Sequence, residues 1–244
     1  MKEDAFVASF FVYLLYICAV AERMNSMSHE IEEMADFFNK RAEGYEDHMR
    51  SILDMDGFYG AVAKAFPESE ETMNILDLGC GTGLELGYLL HRMPRARITG
   101  IDLSAEMLSQ LRTTYRDRME QITLIRDSYV TYPLGEARYD FAVSAQSLHH
   151  FLPEEKTAIY RNIYNALKKG GVYVEGDFVV DEAEAQEYLK SYHAHMAQGD
   201  EGLYHLDIPF TLETQIGLLQ DAGFGSVEVL YHQDAAAVYK AVKG

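Results

Sequence analysis

The sequence predicts an α/β fold built on a doubly wound, mainly parallel sheet, and three observations predict it. Residues 74–78 (NILDL) read as a short buried strand running straight into a turn with glycines at 79, 81 and 83, followed by apolar Leu84, Leu86, Leu89 and Leu90. A second strand pattern, residues 97–102, ends in Asp102, 25 residues after Asp77, which suits a strand–helix–strand unit. Further strand patterns at 122–126, 139–145 and 172–178 alternate with helical periodicity, the order a parallel sheet requires.

Composition bounds the rest. At 244 residues the chain fits one α/β domain with at most a small addition, and 48% hydrophobic residues with 17 Tyr and 12 Phe supply a large core. A formal net charge of −18 excludes a general nucleic-acid binder, because phosphate backbones are neutralised by Lys and Arg. Two cysteines, Cys18 and Cys80, give neither a disulfide framework nor a Cys-based zinc site. Cys80 lies inside the glycine turn and reads as packing.

The turn itself, Asp77-Leu78-Gly79-Cys80-Gly81-Thr82-Gly83, is Gly-x-Gly-x-Gly and lacks the spacing of the dinucleotide fingerprint. Glycines let the backbone turn sharply and let a ligand approach without a Cβ in the way. Amides at the start of the next helix favour negative charge. The stretch resembles motif I of the class I S-adenosylmethionine-dependent methyltransferases. That resemblance implies a Rossmann-like seven-stranded sheet, six strands parallel and the last antiparallel, with helices on both faces and a helical lid. It also implies S-adenosylmethionine as cofactor, its methionine part passing close to Asp77, Gly79, Gly81 and Gly83.

The following segments extend the likeness. Asp102, at the end of the second strand, is placed to accept two hydrogen bonds from a ribose diol. Leu103-Ser104-Ala105-Glu106-Met107-Leu108 resembles the family's D-x-S-x-x-M-L signature, with Ser104 as helix cap and Leu103 and Met107 beside the cofactor. Asp127, followed by Ser128, matches the acid that the family points at the adenine amino group. Ser144-Ala145-Gln146-Ser147-Leu148-His149-His150 resembles the family's S-x-x-x-L-H-H loop, which adds Ser144 and Gln146 to the cofactor site. The loop lies beyond a strand's carboxyl end, where methyl group and acceptor meet, so His149 and His150 are the catalytic candidates, His149 as general base. A structural role for the pair, bonding the loop or starting the next helix, fits the same residues.

Upstream, residues 28–66 read as two cap helices, with Ser28, Glu32, Ile31, Met34, Phe37 and Phe38 marking the first. Phe38 to Tyr45 resembles the family's F-x-x-x-A-x-x-Y element, which places Tyr45 at the cofactor. Downstream, Pro153 opens a helix over 154–167, stopped by Lys168-Lys169-Gly170-Gly171. Strand five (172–178) sets Glu175 and Asp177 on one face, toward one rim. Residues 181–209 form an inserted helical lid, a helix from Glu182 to Gln198 with His193, His195, His205 and Asp207 clustered around its end. A helix from 210 to 224 and the strands 227–231 and 236–242 close the sheet.

Residues 28–244 are thus expected to form a single domain, with residues 1–27 an apolar N-terminal extension. The run 5–21 (AFVASFFVYLLYICAVA) admits a membrane anchor or export signal, a packed apolar helix, or residues upstream of a start at Met24 or Met27. Cytosolic manufacture of the cofactor favours a cytoplasmic enzyme, and a homodimer is compatible with the chain.

The resulting expectation is methyl transfer to a small-molecule acceptor, without nucleic acid and without a required metal. Three other readings compete. Carboxy-S-adenosylmethionine synthase is distantly similar, but it needs an arginine to hold an added carboxylate and residues 182–209 contain none. Metal-assisted transfer would draw on His149, His150, Glu175, Asp177, His193, His195 and His205. A non-catalytic subunit would keep the cofactor pocket and modify nothing.

Overall fold

A computed structural model describes residues 32–196 and 202–244. The apolar run 5–21 and the proposed start of the first cap helix at Ser28 lie outside the described residues. Seven strands form one sheet: β1 (Asn74–Leu78), β2 (Arg97–Asp102), β3 (Ile122–Arg126), β4 (Tyr139–Ala145), β5 (Leu167–Phe178), β6 (Ser226–Gln233) and β7 (Ala236–Val242). Their order is β3-β2-β1-β4-β5-β7-β6. Pairing is parallel from β3 through β5, and β7 runs antiparallel to both β5 and β6. Six strands therefore share a direction and the last is reversed, as expected.

Strand alternation splits the core into two layers. Ile75, Ile98, Val143, Val174 and Val238 face one side and pack on Phe58, Leu86, Leu89, Leu108 and Leu111. These come from α3 (Met55–Lys64), α4 (Leu86–Arg92) and α5 (Ala105–Thr114). Leu76, Ala142, Tyr173 and Tyr239 face the other side, against Ile159, Tyr160, Ile163 and Leu219 of α6 (Pro153–Ala166) and α8 (Leu212–Asp221). The sheet is thus buried on both faces, which leaves the carboxyl ends of β1, β2, β4 and β5 as the open edge for a ligand.

Two element boundaries depart from the sequence reading. The cap region holds three helices where two were expected: α1 (Met34–Arg41), α2 (Tyr45–Ile52) and α3. Gly44, left-handed at φ 85°, separates the first two, and Asp54 caps α3 by accepting from the Gly57 amide. Tyr45 consequently opens a helix. Strand β5 begins at Leu167, five residues before the expected Val172, because Leu167 pairs with Tyr139, the Gly170 amide donates to the Lys243 carbonyl and the Gly171 carbonyl accepts the Lys243 amide. Lysines and glycines there read as a helix stop, but the next strand absorbs them.

Helix α7 (Glu182–Met196) occupies the inserted region as expected. Segment 203–210 then returns across the open edge. The Met34 amide bonds Leu203, the His205 amide bonds Glu32, the Ile208 amide bonds His149, and the Val180 amide bonds Phe210. Among the described residues no helix is long and apolar enough to cross a membrane.

Beneath the open edge the floor carries a buried ion pair. Lys156 and Glu175 are fully buried, with Nζ 3.5 Å from Oε1. Glu175 accepts hydroxyl donors from Tyr239 at 2.7 Å, Tyr173 at 3.0 Å and Tyr160 at 3.1 Å. Glu175 therefore belongs to the core and not to the rim where strand alternation placed it. Removing one partner of such a pair strands the other charge and costs about 3–5 kcal/mol. Lys156→Met should lower unfolding stability by that amount in denaturant titration, and the double variant Lys156→Met/Glu175→Gln should recover most of it. A single variant as stable as the parent would show that the pair carries no such dependence.

Candidate active site

The glycine turn that follows β1 is held by its own geometry. Gly79 sits at φ 70° and Gly83 at φ 81°, and a Cβ on Gly79 would collide with Ser147 Oγ. Gly81 donates its amide to Asp102 Oδ2 at 2.8 Å, and Tyr115 donates its hydroxyl to the Gly83 carbonyl at 2.8 Å. The turn is thereby pinned from two neighbouring elements.

Three buried side chains around this turn lack partners. Both Asp77 carboxylate oxygens, Glu85 Oε1 and Thr82 Oγ1 have no hydrogen-bond donor or acceptor among the described residues. Asp77 and Glu85 face each other closely enough to share a proton, and a carboxyl–carboxyl hydrogen bond exists only when one of them carries it. Burial raises both: Glu85 is pushed up to about 7, and Asp77 rises well above the carboxylate range through burial and then the Glu85 charge. Glu85 was not singled out from the sequence. The available signal was an acid set among Leu84, Leu86, Leu89 and Leu90.

Asp102 ends β2 with its carboxylate divided between the Gly81 amide and the Ser104 amide, each at 2.8 Å. Burial raises its pKa and these two amides oppose the rise. Each oxygen retains a lone pair toward the cleft. Ser104 caps α5 by accepting from Met107 at 3.1 Å, as expected, and also donates to Asn39 on α1. Asn39, a second residue missed from the sequence, so ties the cap to the second strand. Met107 is buried and Leu103 half-buried beside it.

The other expected cofactor residues fall into two groups. Tyr45 lies within the field of Glu85, Asp102 and Asp177, and burial first, then these charges, raises its hydroxyl. Asp127 is exposed and accepts from the Ser128 amide at 2.7 Å, while Ser128 is buried. Gln146 takes a left-handed φ of 52° at the end of β4, a strained turn of the kind found at sites. Ser144 departs from expectation: its hydroxyl is fully buried and bonds Tyr173 at 2.8 Å, so its side chain serves the core network.

At the acceptor end, His149 Nδ1 lies 2.6 Å from Asp177 Oδ1, while the second Asp177 oxygen accepts the Leu148 amide at 3.0 Å. That bond turns His149 Nε2 toward Asp207 Oδ1, 3.7 Å away. His150 Nδ1 lies 3.4 Å from the same oxygen and 3.2 Å from the Leu206 carbonyl. Burial pushes His149 down, but Asp177 overcomes it and the net shift is upward; burial and the neighbouring His149 lower His150. Asp207 is held well below its ordinary value by the histidines against the opposing effect of burial. His205 joins the group, stacked on Phe37 at 3.4 Å between ring centroids. His193 and His195, expected in the same cluster, are not brought to it: His195 Nδ1 bonds the Ser191 carbonyl of its own helix.

Comparison with known proteins relates the chain to methyltransferases. Residues 75–171 match the family model described as a methyltransferase domain. The carboxy-S-adenosyl-L-methionine synthase of Nautilia profundicola is 24% identical over 85% of this chain and 89% of its own. The malonyl-[acyl-carrier protein] O-methyltransferase of Geobacter sulfurreducens is 29% identical over 80% of this chain and 76% of its own. Human N-acetylserotonin methyltransferase, solved with S-adenosylmethionine, superposes with a TM-score of 0.64 at 21% identity, over 91% of this chain and 62% of that one.

The buried carboxyl pair makes a pH prediction. A carboxyl whose pKa is raised on folding binds its proton more tightly folded than unfolded, so stability falls as pH rises through the window between the two values. For Glu85 that window runs from 4.5 to about 7. Ligand-free protein should lose up to about 3 kcal/mol across it, each tenfold change in proton affinity being worth about 1.4 kcal/mol. Glu85→Gln should flatten this slope in thermal melts at pH 5 and 7.5, and an unchanged slope would refute the assignment.

Proposed function

We propose that this chain, whose residues 75–171 match a methyltransferase-domain family model, is a class I S-adenosylmethionine-dependent methyltransferase that methylates a small-molecule acceptor whose nucleophilic atom sits beside His149, His150 and Asp207. The observation that supports the cofactor's placement is the set of unpartnered buried groups at the turn. Asp77 and Glu85 offer two carboxyls to an ammonium, and Thr82 offers a hydroxyl to a carboxylate, which together are the charged groups of a methionine moiety. Asp102 would take the ribose hydroxyls on its remaining lone pairs. Tyr45, Leu103, Met107, Asp127, Ser128 and Gln146 would complete the enclosure.

Bound S-adenosylmethionine supplies a sulfonium whose methyl carbon already carries a good leaving group. The chain's own task is then alignment and exclusion of water. Proximity and orientation supply roughly 7–11 kcal/mol at best. Segment 203–210 and α1 close over the acceptor end, and His149 is fixed there by Asp177. His149 and His150 are the side chains proposed to act on the acceptor.

A carboxy-S-adenosylmethionine synthase activity is the second reading, favoured by relatives of that name covering most of the chain. Residues 182–209 hold no arginine to receive an added carboxylate. Mass spectrometry of nucleoside released from purified protein separates the two, since a carboxylated cofactor would be heavier than S-adenosylmethionine.

Calorimetric titration with S-adenosylmethionine and S-adenosylhomocysteine should show one site per chain. Asp102→Ala should weaken both by about 1–3 kcal/mol, the scale for losing a charged hydrogen-bond partner. Equal affinity in the variant would remove Asp102 from the site. His149→Ala should leave cofactor affinity close to the parent value and lower turnover on an accepted substrate by about 100-fold or more; a variant with full turnover would clear His149 of any role.

A further inference from the structure

We propose that His149, His150 and Asp207, with His205 alongside, form a binding site for a divalent transition-metal ion at the acceptor end of the cleft. The proposal rests on spacing. One nitrogen from each of His149 and His150 and one Asp207 oxygen lie within 4.8 Å of one another. Asp207 Oδ1 stands 3.4 Å from His150 Nδ1, 3.7 Å from His149 Nε2 and 3.9 Å from His205 Nε2. These separations are longer than nitrogen–oxygen hydrogen bonds, which cluster at about 2.7–3.2 Å. They match the edges of a coordination polyhedron: ligands about 2.1 Å from a tetrahedral ion stand about 3.4 Å apart. The widest pair, up to 4.8 Å apart, needs to close by about 1.4 Å at most, within the reach of side-chain rotations.

Two further features fit. His149 hands Nδ1 to a buried carboxylate, Asp177, and turns Nε2 toward the cluster, which is the carboxylate–histidine arrangement that orients metal ligands. His150 is buried, with Nδ1 3.2 Å from the Leu206 carbonyl, a contact that ligation through Nδ1 would replace. Imidazole nitrogens with one carboxylate suit zinc, iron, cobalt or nickel, and are poor company for magnesium, which prefers oxygen ligands.

The chemistry that follows rests on the methyl-transfer reading. Neutral imidazoles and one carboxylate leave a divalent ion with a net positive charge, so the site would receive an anionic acceptor oxygen. That oxygen's lone pair forms the bond to the methyl carbon while the carbon–sulfur pair leaves with sulfur, and no proton is transferred in the step. His149 then serves as ligand, and holding the oxygen as an anion replaces removal of its proton.

The test uses the full chain purified without a polyhistidine tag, stripped by chelator and titrated with Co(II), Zn(II) and Mg(II). The expected result is one equivalent of Co(II) or Zn(II), visible ligand-field absorption from Co(II), and no uptake of Mg(II). Asp207→Asn and His150→Gln should each weaken Co(II) binding at least tenfold, whereas His195→Gln, on α7 and outside the cluster, should not. Absence of stoichiometric Co(II) and Zn(II) in the parent protein overturns the site, as does equal weakening by His195→Gln. Cofactor titration on the same preparation keeps the outcomes apart: cofactor binding without metal sinks only the ion, and metal without cofactor sinks only the methyl-transfer reading.

Discussion

Burial of carboxylates along the open edge of the sheet is the constraint on which the rest of this structure depends. Asp77, Glu85, Glu175 and Asp177 are all buried, and Asp102 is nearly enclosed. A carboxylate removed from water must find donors, a counter-charge or a proton. The fold answers case by case. Lys156 and three tyrosines surround Glu175, His149 and two backbone amides hold Asp177, and the Gly81 and Ser104 amides divide Asp102. Only Asp77 and Glu85 depend on each other.

That difference separates scaffold from site. Where compensation is complete, a buried charge rigidifies its surroundings, as in the tyrosine box around Glu175. Where it is incomplete, the protein carries a standing cost that a cationic ligand would relieve. At the acceptor end Asp207 stands 3.4–3.9 Å from three imidazoles.

The fold and the glycine turn were legible because their signals are local. A strand, a glycine turn and an acid 25 residues later occupy contiguous sequence, and each turn glycine at positive φ is a position where another residue would be strained. Boundaries failed where a local cue had two uses: Lys168-Lys169-Gly170-Gly171 can stop a helix or open a strand, and the decision lay with Tyr139 and Lys243, far along the chain. Glu85 escaped because an acid at a helix start is ordinary until its burial is known. Asn39 and Lys156 escaped because their partners, Ser104 and Glu175, are 65 and 19 residues away. Ser144 matched a motif, yet alternation along β4 turned its hydroxyl into the core.

The two ends of the cleft also differ in how they are built, and this bears on how such a chain changes substrate. Residues 77–128 supply most of the proposed cofactor end from three adjacent parallel strands, β1 to β3. The acceptor end joins the β4 loop, the tip of β5 and a segment 56 residues beyond His150, through the His150–Leu206 and Ile208–His149 contacts. The insertion can therefore vary while β1 to β3 remain unchanged, provided that it keeps covering Asp177 and His149. Its composition accordingly carries information on the acceptor that the glycine turn cannot. Here it contributes the Asp207 carboxylate, a histidine stacked on Phe37 and no arginine, a composition suited to a cation and unsuited to binding a carboxylate directly.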